Sequence, residues 1–363
     1  MITLLFLILC GSYFILLAAV TIGLNRLHGA EHDYLPTISI VIAARNEEKR
    51  ISDCLESLEN IDYPADKFEV IVVDDYSADR TAALVGAVCR KYTNWSLIRL
   101  HQKSDQLRGK KNALQNGIEK AGGEIIFTTD ADCRVPPEWL RAMARYFRPD
   151  VSMVLGYSPL IKEKRPYYRL LQFDNLFSAI AGAAPAKLGF PFTSVGRNLA
   201  YRKTDYETTG GFLALKKFRS GDDIHLTKRF HHQNGGRIDY CADPDTFVHT
   251  MIPSSVREVI QQQMRKNSKT FQLSLPNIML MLAIFLLYLL FFSLPLMLPG
   301  ILLLWLVVIF IKFAVEYVIL RKAARIFEQS DLIPFIPLMQ IIYPLYIITF
   351  SLLGSFQFYQ WKK

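Results

Sequence analysis

The sequence predicts an α/β fold, a mostly parallel sheet flanked by helices, joined to transmembrane α-helices, one N-terminal and about three C-terminal. Three observations carry this. The runs TISIVIA (37–43) and FEVIVVD (68–74) are continuously apolar and rich in β-branched residues, as in strands covered on both faces. Segments of helical periodicity alternate with them. The opening MITLLFLILCGSYFILLAAVTIGL (1–24) contains no charge, and three further apolar segments follow residue 276.

In chain order, the opening segment is long enough to cross the ~30 Å of bilayer hydrocarbon. A cleaved signal would have a basic start and a shorter apolar core, so residues 1–25 read as a retained anchor. The next region, 36–251, is the soluble domain. In NEEKRISDCLESL, Ile51, Leu55 and Leu58 share one helical face, with Glu47 and Glu48 suited to the positive end of the helix dipole. A second helix follows Ser77, then the strand SLIRL (96–100), a helix over 109–120, the strand EIIFTT (124–129), and a helix opened by Pro136 and Pro137. This βαβαβαβ order implies a parallel sheet.

Residues 252–275 form a basic, partly amphipathic segment suited to the membrane interface, with a helix expected over 256–271. Beyond it, 277–356 divides into apolar stretches 277–298, 301–320 and 332–356; prolines 334, 337 and 344 leave a re-entrant course open for the last. Within the middle stretch Lys312 and Glu316 share a helix face and read as a self-neutralising pair. Arg321, Lys322 and Arg325 in the last short loop, and Arg26 after the first span, point to the cytoplasm. The expected location is therefore the cell (inner) membrane, multi-pass, with the soluble domain cytoplasmic.

The net charge of +9 is spread without the basic run or reader motif of a nucleic-acid-binding protein, so no nucleic acid partner is expected. An anionic membrane leaflet and a phosphate-bearing substrate account for it. The five cysteines are scattered, without a CxxC, which argues against a zinc site or disulfide framework and suits a reducing compartment.

The chemistry concentrates at strand ends. ARNE (44–47) follows the first strand, DDYS (74–77) the second and DADC (130–133) the fourth. In an open α/β sheet ligands bind beyond the carboxyl ends of the strands, so three acidic or amide clusters share one rim. One such aspartate is commonly a turn former; three together suit a hard divalent cation, Mg²⁺ or Mn²⁺, sharing oxygen ligands with phosphates. The GKK at 109–111 lacks both the first glycine and the Ser or Thr of a P-loop, and no GxGxxG follows the first strand.

Six segments in order, IVIAARNEEKRISDCLESL, VIVVDDYSADRT, GKKNAL, FTTDADC, GDDIHLTKRF and QQQMRK, resemble the membrane-bound family 2 glycosyltransferases with a GT-A catalytic domain. The resemblance implies that Asn46, Glu47, Asp74 and Asp75 hold the nucleotide, that Asp130 contacts its ribose or supports the site, and that Asp132 is the metal ligand. Lys110 would stand beside the donor, Gln262 and Arg265 would match the Gln-x-x-Arg pattern that grips the diphosphate, and Asp223 would be the catalytic base. Lys266 departs from the family, whose pattern continues with Trp there.

What the resemblance implies is an inverting, metal-dependent transfer of a sugar from a nucleotide-sugar, expected to be a UDP-sugar, to a membrane lipid or lipid-linked glycan at the cytoplasmic face. The alternatives are a processive polysaccharide synthase resembling poly-N-acetylglucosamine synthases and a catalytically dead membrane scaffold. SVGRNLAYRK (194–203), TGGFLA (209–214) and His249 stay open between acceptor-side or metal-side roles and ordinary structural ones.

Overall fold

The computed structural model describes residues 2–30, 34–102, 104–218, 221–233, 236–267 and 275–355. The elements run α1 (Ile2–Asn25), β1 (Ile38–Ala44), α2 (Ile51–Glu59), β2 (Phe68–Asp74), α3 (Thr81–Cys89), β3 (Trp95–Arg99) and α4 (Lys110–Lys120). They continue with β4 (Ile125–Asp130), β5 (Cys133–Arg134), α5 (Trp139–Ala144), β6 (Val151–Gly156), α6 (Tyr168–Lys187), β7 (Leu199–Arg202), α7 (Lys203–Thr208) and α8 (Asp222–Gln233). The last are β8 (Arg237–Cys241), β9 (His249–Thr250), α9 (Val256–Asn267), α10 (Leu275–Met297), α11 (Leu302–Ile326) and α12 (Ile336–Ser355).

The chain divides into two compact units, one of Gly23–Lys162 with Phe177–Met251, the other of Met1–Ile22, Glu163–Leu176 and Ile252–Lys363. The first unit holds a seven-stranded sheet in the order β3-β2-β1-β4-β7-β6-β8. The four strands expected from sequence, β1 to β4, are mutually parallel, and β7 runs antiparallel between β4 and β6. The core on one face is built from Ile40, Ile42, Val70, Val72, Phe127 and the α2 residues Ile51, Cys54, Leu55 and Leu58, which include the three read as one helical face. On the other face α4 lies close to the sheet because of Gly117: a Cβ there would fall 2.4 Å from Val41 Cγ1 and 3.0 Å from Val73 Cγ2. No residue larger than glycine fits at that crossing.

Register places the site. Ala43 pairs with Asp130 and Ala44 with Asp74, so the carboxyl ends of β2, β1 and β4 are level. The start of β7 lies beside the end of β4, with Leu199 opposite Thr128. That antiparallel strand brings the loop before it, with Gly196 and Arg197, to the same rim.

The second unit is largely apolar helix. Among the described residues three helices are long and apolar enough to cross a membrane, within Ile2–Asn25, Pro299–Ile326 and Ser330–Gly354. Two of these are C-terminal. The remaining stretch corresponds to α10, whose described apolar part is the shorter Leu282–Pro295. The prolines of the last stretch do not break it: Pro334 sits in the 3-10 turn Ser330–Phe335, Pro337 near the start of α12, and α12 continues through Pro344. Phe6 and Cys10 of α1 pack with Leu287, Leu290, Phe291 and Leu294 of α10. Lys312 and Glu316 of α11 are buried and 2.8 Å apart, and Glu316 also accepts from Tyr13 Oη (2.6 Å) and Gln340 Nε2 (3.1 Å). The self-neutralising pair thus links three helices. α9 covers the expected helix as far as Asn267, and 268–271 lie outside the described residues.

Candidate active site

The loop after β1 turns sharply at Asn46, whose φ of 54° lies in the left-handed region that asparagine tolerates better than most residues. Its Oδ1 accepts from the Ala78 amide (2.9 Å) and its own amide donates to Ser77 Oγ (3.0 Å). The Glu47 amide donates to Thr81 Oγ1 at 2.8 Å, and the Glu47 carboxylate lies 3.8 Å from Arg50. These bonds lace the β1–α2 loop to the β2–α3 loop. Asn46 therefore also serves as a backbone fastener, which the sequence reading did not foresee.

Asp74 and Asp75 at the end of β2 are both buried. Asp74 Oδ1 receives no hydrogen bond from the described residues. Burial is the main cause that holds the Asp75 carboxyl above its usual range; Arg45, 3.9 Å away and half exposed, pulls the other way, and Asp74 adds to the rise. Two buried acids with so little compensation suit a ligand that brings donors to them.

Asp130, Asp132 and Cys133 present ligand atoms within 4.8 Å of one another. Asp130 is paired with Lys110 at the start of α4, the helix that follows Gly109 at φ 58°. Asp132 lies 3.8 Å from Arg50. Burial first, then Asp130, raise its pKa, and Arg197, Arg50 and Lys110 only partly offset them. A carboxylate held in that state is relieved by a cation. The oxygen donors fit a hard divalent ion; Cys133 Sγ is nearby, but burial pushes that thiol well above its usual range and keeps it protonated. His249 sits on the short β5–β9 ribbon opposite Arg134 and is not one of the clustered ligands.

Asp223 reaches the same rim through the loop before β7. Its Oδ2 accepts from the Gly196 amide (3.0 Å), and Gly196 O accepts from Thr128 Oγ1 of β4 (3.1 Å). A Cβ on Gly196 would lie 3.4 Å from Asp223 Cβ and 3.6 Å from Lys110 Nζ, so the three residues meet. Burial lowers the pKa of Lys110, but Asp130, Asp223 and Asp222 more than reverse this and raise it above the usual lysine value. One ammonium thus faces both the DxD and the candidate base.

Asn46, Glu47, Asp74, Asp75, Lys110, Asp130, Asp132 and Asp223 all lie in the sheet-bearing unit. Gln262 and Arg265 lie on α9 in the other, both exposed, and their part in donor binding rests on the resemblance. Sequence reasoning quoted the segments that hold Arg50 and Arg197 but gave neither residue a role, although both act with Lys110 on Asp132. It left SVGRNLAYRK undecided, and the segment divides: Arg197 acts on the site, whereas Asn198 is wholly buried, accepting from Trp139 Nε1 and donating to the carbonyls of Tyr157 and Thr246.

Residues 39–218 match the family model described as Glycosyl transferase family 2. The chain carries a family 2 glycosyltransferase domain. The beta-monoglucosyldiacylglycerol synthase of Synechocystis sp. is 35% identical over 112 residues, 31% of this chain and 23% of that protein. Glycosyltransferase AglE of Haloferax volcanii is 33% identical over 196 residues, 54% of this chain and 61% of AglE. The matched part therefore spans about a quarter of the first relative and six tenths of the second. Among solved structures, the mannosyltransferase PcManGT of Pyrobaculum calidifontis, in complex with GDP-Man and Mn²⁺, superposes with a TM-score of 0.56 at 19% identity, covering 98% of this chain and 96% of that one. The glycosyltransferase domain has the GT-A fold.

Proposed function

We propose that the protein is an inverting glycosyltransferase that moves a sugar from a nucleotide-sugar, a UDP-sugar in this reading, to a membrane lipid or lipid-linked glycan at the cytoplasmic face. The observation that carries this is the meeting of Asp130, Asp132, Lys110, Gly196 and Asp223 on one rim. Asp74 and Asp75 bind the nucleoside, with Asn46 and Glu47 shaping the loop beside it. Asp132 holds Mg²⁺ or Mn²⁺, and Asp130 is kept in place by Lys110. When bound, the ion neutralises negative charge on the departing diphosphate. Gln262 and Arg265 grip the diphosphate, a role that follows from the family pattern.

Asp223 takes the proton of the acceptor hydroxyl as its oxygen bonds to the anomeric carbon and the bond to the diphosphate oxygen breaks. A single displacement of this kind inverts the anomeric configuration. The Gly196 amide orients the carboxylate and leaves its Oδ1 side toward the first turn of α8, where it accepts from the Ile224 amide (2.9 Å). A dead scaffold would not need the full acidic set, which is present.

Transfer of a single sugar is favoured over polymer synthesis by position 266. Where the family pattern has Trp, Lys266 donates to buried Asp174 at 2.7 Å, and Asp174 also accepts from Tyr343 Oη (3.0 Å) and Gln263 Nε2 (3.3 Å). The lysine is committed to a buried carboxylate rather than offering a flat apolar face to a sugar. The cytoplasmic orientation is supported by Arg26, Arg321, Lys322 and Arg325. The relatives named for glucosyldiacylglycerol synthesis are consistent with a lipid acceptor.

Purified protein in lipid nanodiscs, given a panel of nucleotide-sugars and membrane lipid extract, tests the reading. One inverted sugar per lipid, formed only with divalent metal, is expected. Retention of anomeric configuration would contradict the mechanism, and a long polymer would move the assignment to the processive class.

A further inference from the structure

The motif GKKNAL carries a second lysine, Lys111, which the donor site does not use. Only 4% of it is exposed, so it cannot contact a soluble donor. Lys110 and Lys111 open α4, the end of a helix where its dipole repels a cation. Each must therefore be compensated, and the two are compensated in different directions. Lys110 pairs with Asp130. The Lys111 ammonium donates to Leu215 O (3.1 Å) and to Phe218 O, and lies 3.6 Å from Asp222 Oδ1.

The two carbonyl acceptors of Lys111 lie just before α8, and its ion-pair partner Asp222 is the first residue of that helix. The chain passes the 3-10 turn Leu213–Leu215 and Gly221, at φ 82°, before Asp222 and Asp223 begin the helix. Phe218 stacks on His225 one turn into α8, with ring centroids 3.7 Å apart. Adjacent residues of one helix thus grip the DxD strand on one side and the origin of the base-bearing helix on the other.

We infer that Lys111 is a positioning residue for the transfer step: by holding Leu215, Phe218 and Asp222 it fixes the first turn of α8, so that Asp223 meets the Gly196 amide beside Lys110. Asp222, the partner of a buried lysine, is then a brace and not a second base. The inference rests on Asp223 acting as the base. Buried charges held in this way are costly to separate, since removing one partner strands the other, and a displacement of about 1 Å at a catalytic group can cost ~100-fold in rate.

The test compares Lys111→Met, Asp222→Asn and Asp223→Asn in the full-length protein in nanodiscs, measuring kcat, donor KM and UDP affinity by calorimetry. Lys111→Met is expected to lower kcat at least tenfold with UDP affinity and donor KM within twofold of the parent. Asp222→Asn, which keeps both carbonyl bonds, is expected to give a smaller loss of the same kind. If the melting temperature shows that Lys111→Met does not fold, Asp222→Asn carries the decision on the same split. Normal kcat in a folded variant, or loss of kcat in step with loss of UDP binding, would overturn the inference. Asp223→Asn separates the two readings. Activity there removes the base assignment itself, whereas an inactive Asp223→Asn beside a fully active Lys111→Met removes only the brace.

Discussion

Replacing Asp75 with Asn should make the protein more stable while weakening its hold on the nucleotide. Asp75 is 4% exposed, and its nearest cation, Arg45, is 3.9 Å away and half exposed. A pair that open to water is worth only about 0–1 kcal/mol, which is too little to offset burial of the carboxylate next to Asp74. Asparagine keeps the shape and removes the charge. Functional sites often store strain of this sort, and relieving it gains about 1 kcal/mol. For a domain of this size that corresponds to about 2–4 °C in melting temperature.

The pH dependence fixes the sign. Burial holds the folded carboxyl above its unfolded value of 3.8, so over that window the folded chain binds more protons than the unfolded one. Stability from this group therefore falls as pH rises from the unfolded value through the folded one, and stays low above it. The advantage of Asp75→Asn should be complete at pH 7.5 and shrink toward zero near pH 4. Differential scanning fluorimetry at the two pH values, with calorimetric titration of UDP, measures both effects. A lower melting temperature than the parent at pH 7.5, or an advantage that grows on acidification, would refute the argument.

Two packing predictions follow from other parts of the chain. Gly117→Ala gains about 1 kcal/mol of helix propensity but sets a Cβ 2.4 Å from Val41 Cγ1. Overpacking of about 1–3 kcal/mol should prevail, and the melting temperature should fall; a rise would mean that α4 moves off the sheet freely. Lys312→Met leaves buried Glu316 without its cation and should cost about 3–5 kcal/mol, seen as reduced yield and melting temperature in detergent. Lys312→Met/Glu316→Gln should recover most of that, and a double variant no better than the single would contradict the neutralising role.

The rim was legible because local chemistry announces it. A short, continuous β-branched run between helical segments reads as a covered strand, and its carboxyl end lies where open α/β sheets bind ligands, so Asp74, Asp75, Asp130 and Asp132 could be placed on the rim from sequence. Asp223 needed the resemblance, since its arrival depends on β7 running antiparallel beside β4, and pairing order leaves no local trace. The roles of Arg50, Arg197 and Lys111 were invisible for the same reason: each is an ordinary basic residue until the fold supplies its partner. Asp174 is the clearest case. In the middle of a helical stretch it looks like a surface residue, yet it is buried and explains why Lys266 can stand in place of an aromatic.

The proposed transfer requires that Asp132 hold a divalent ion against the donor's diphosphate. Calorimetric titration of UDP into wild-type and Asp132→Ala protein, each with and without Mn²⁺, addresses this directly. The ion should tighten UDP binding at least tenfold in the wild type and leave it unchanged in the folded variant. Equal Mn²⁺ enhancement in both proteins would contradict the assignment.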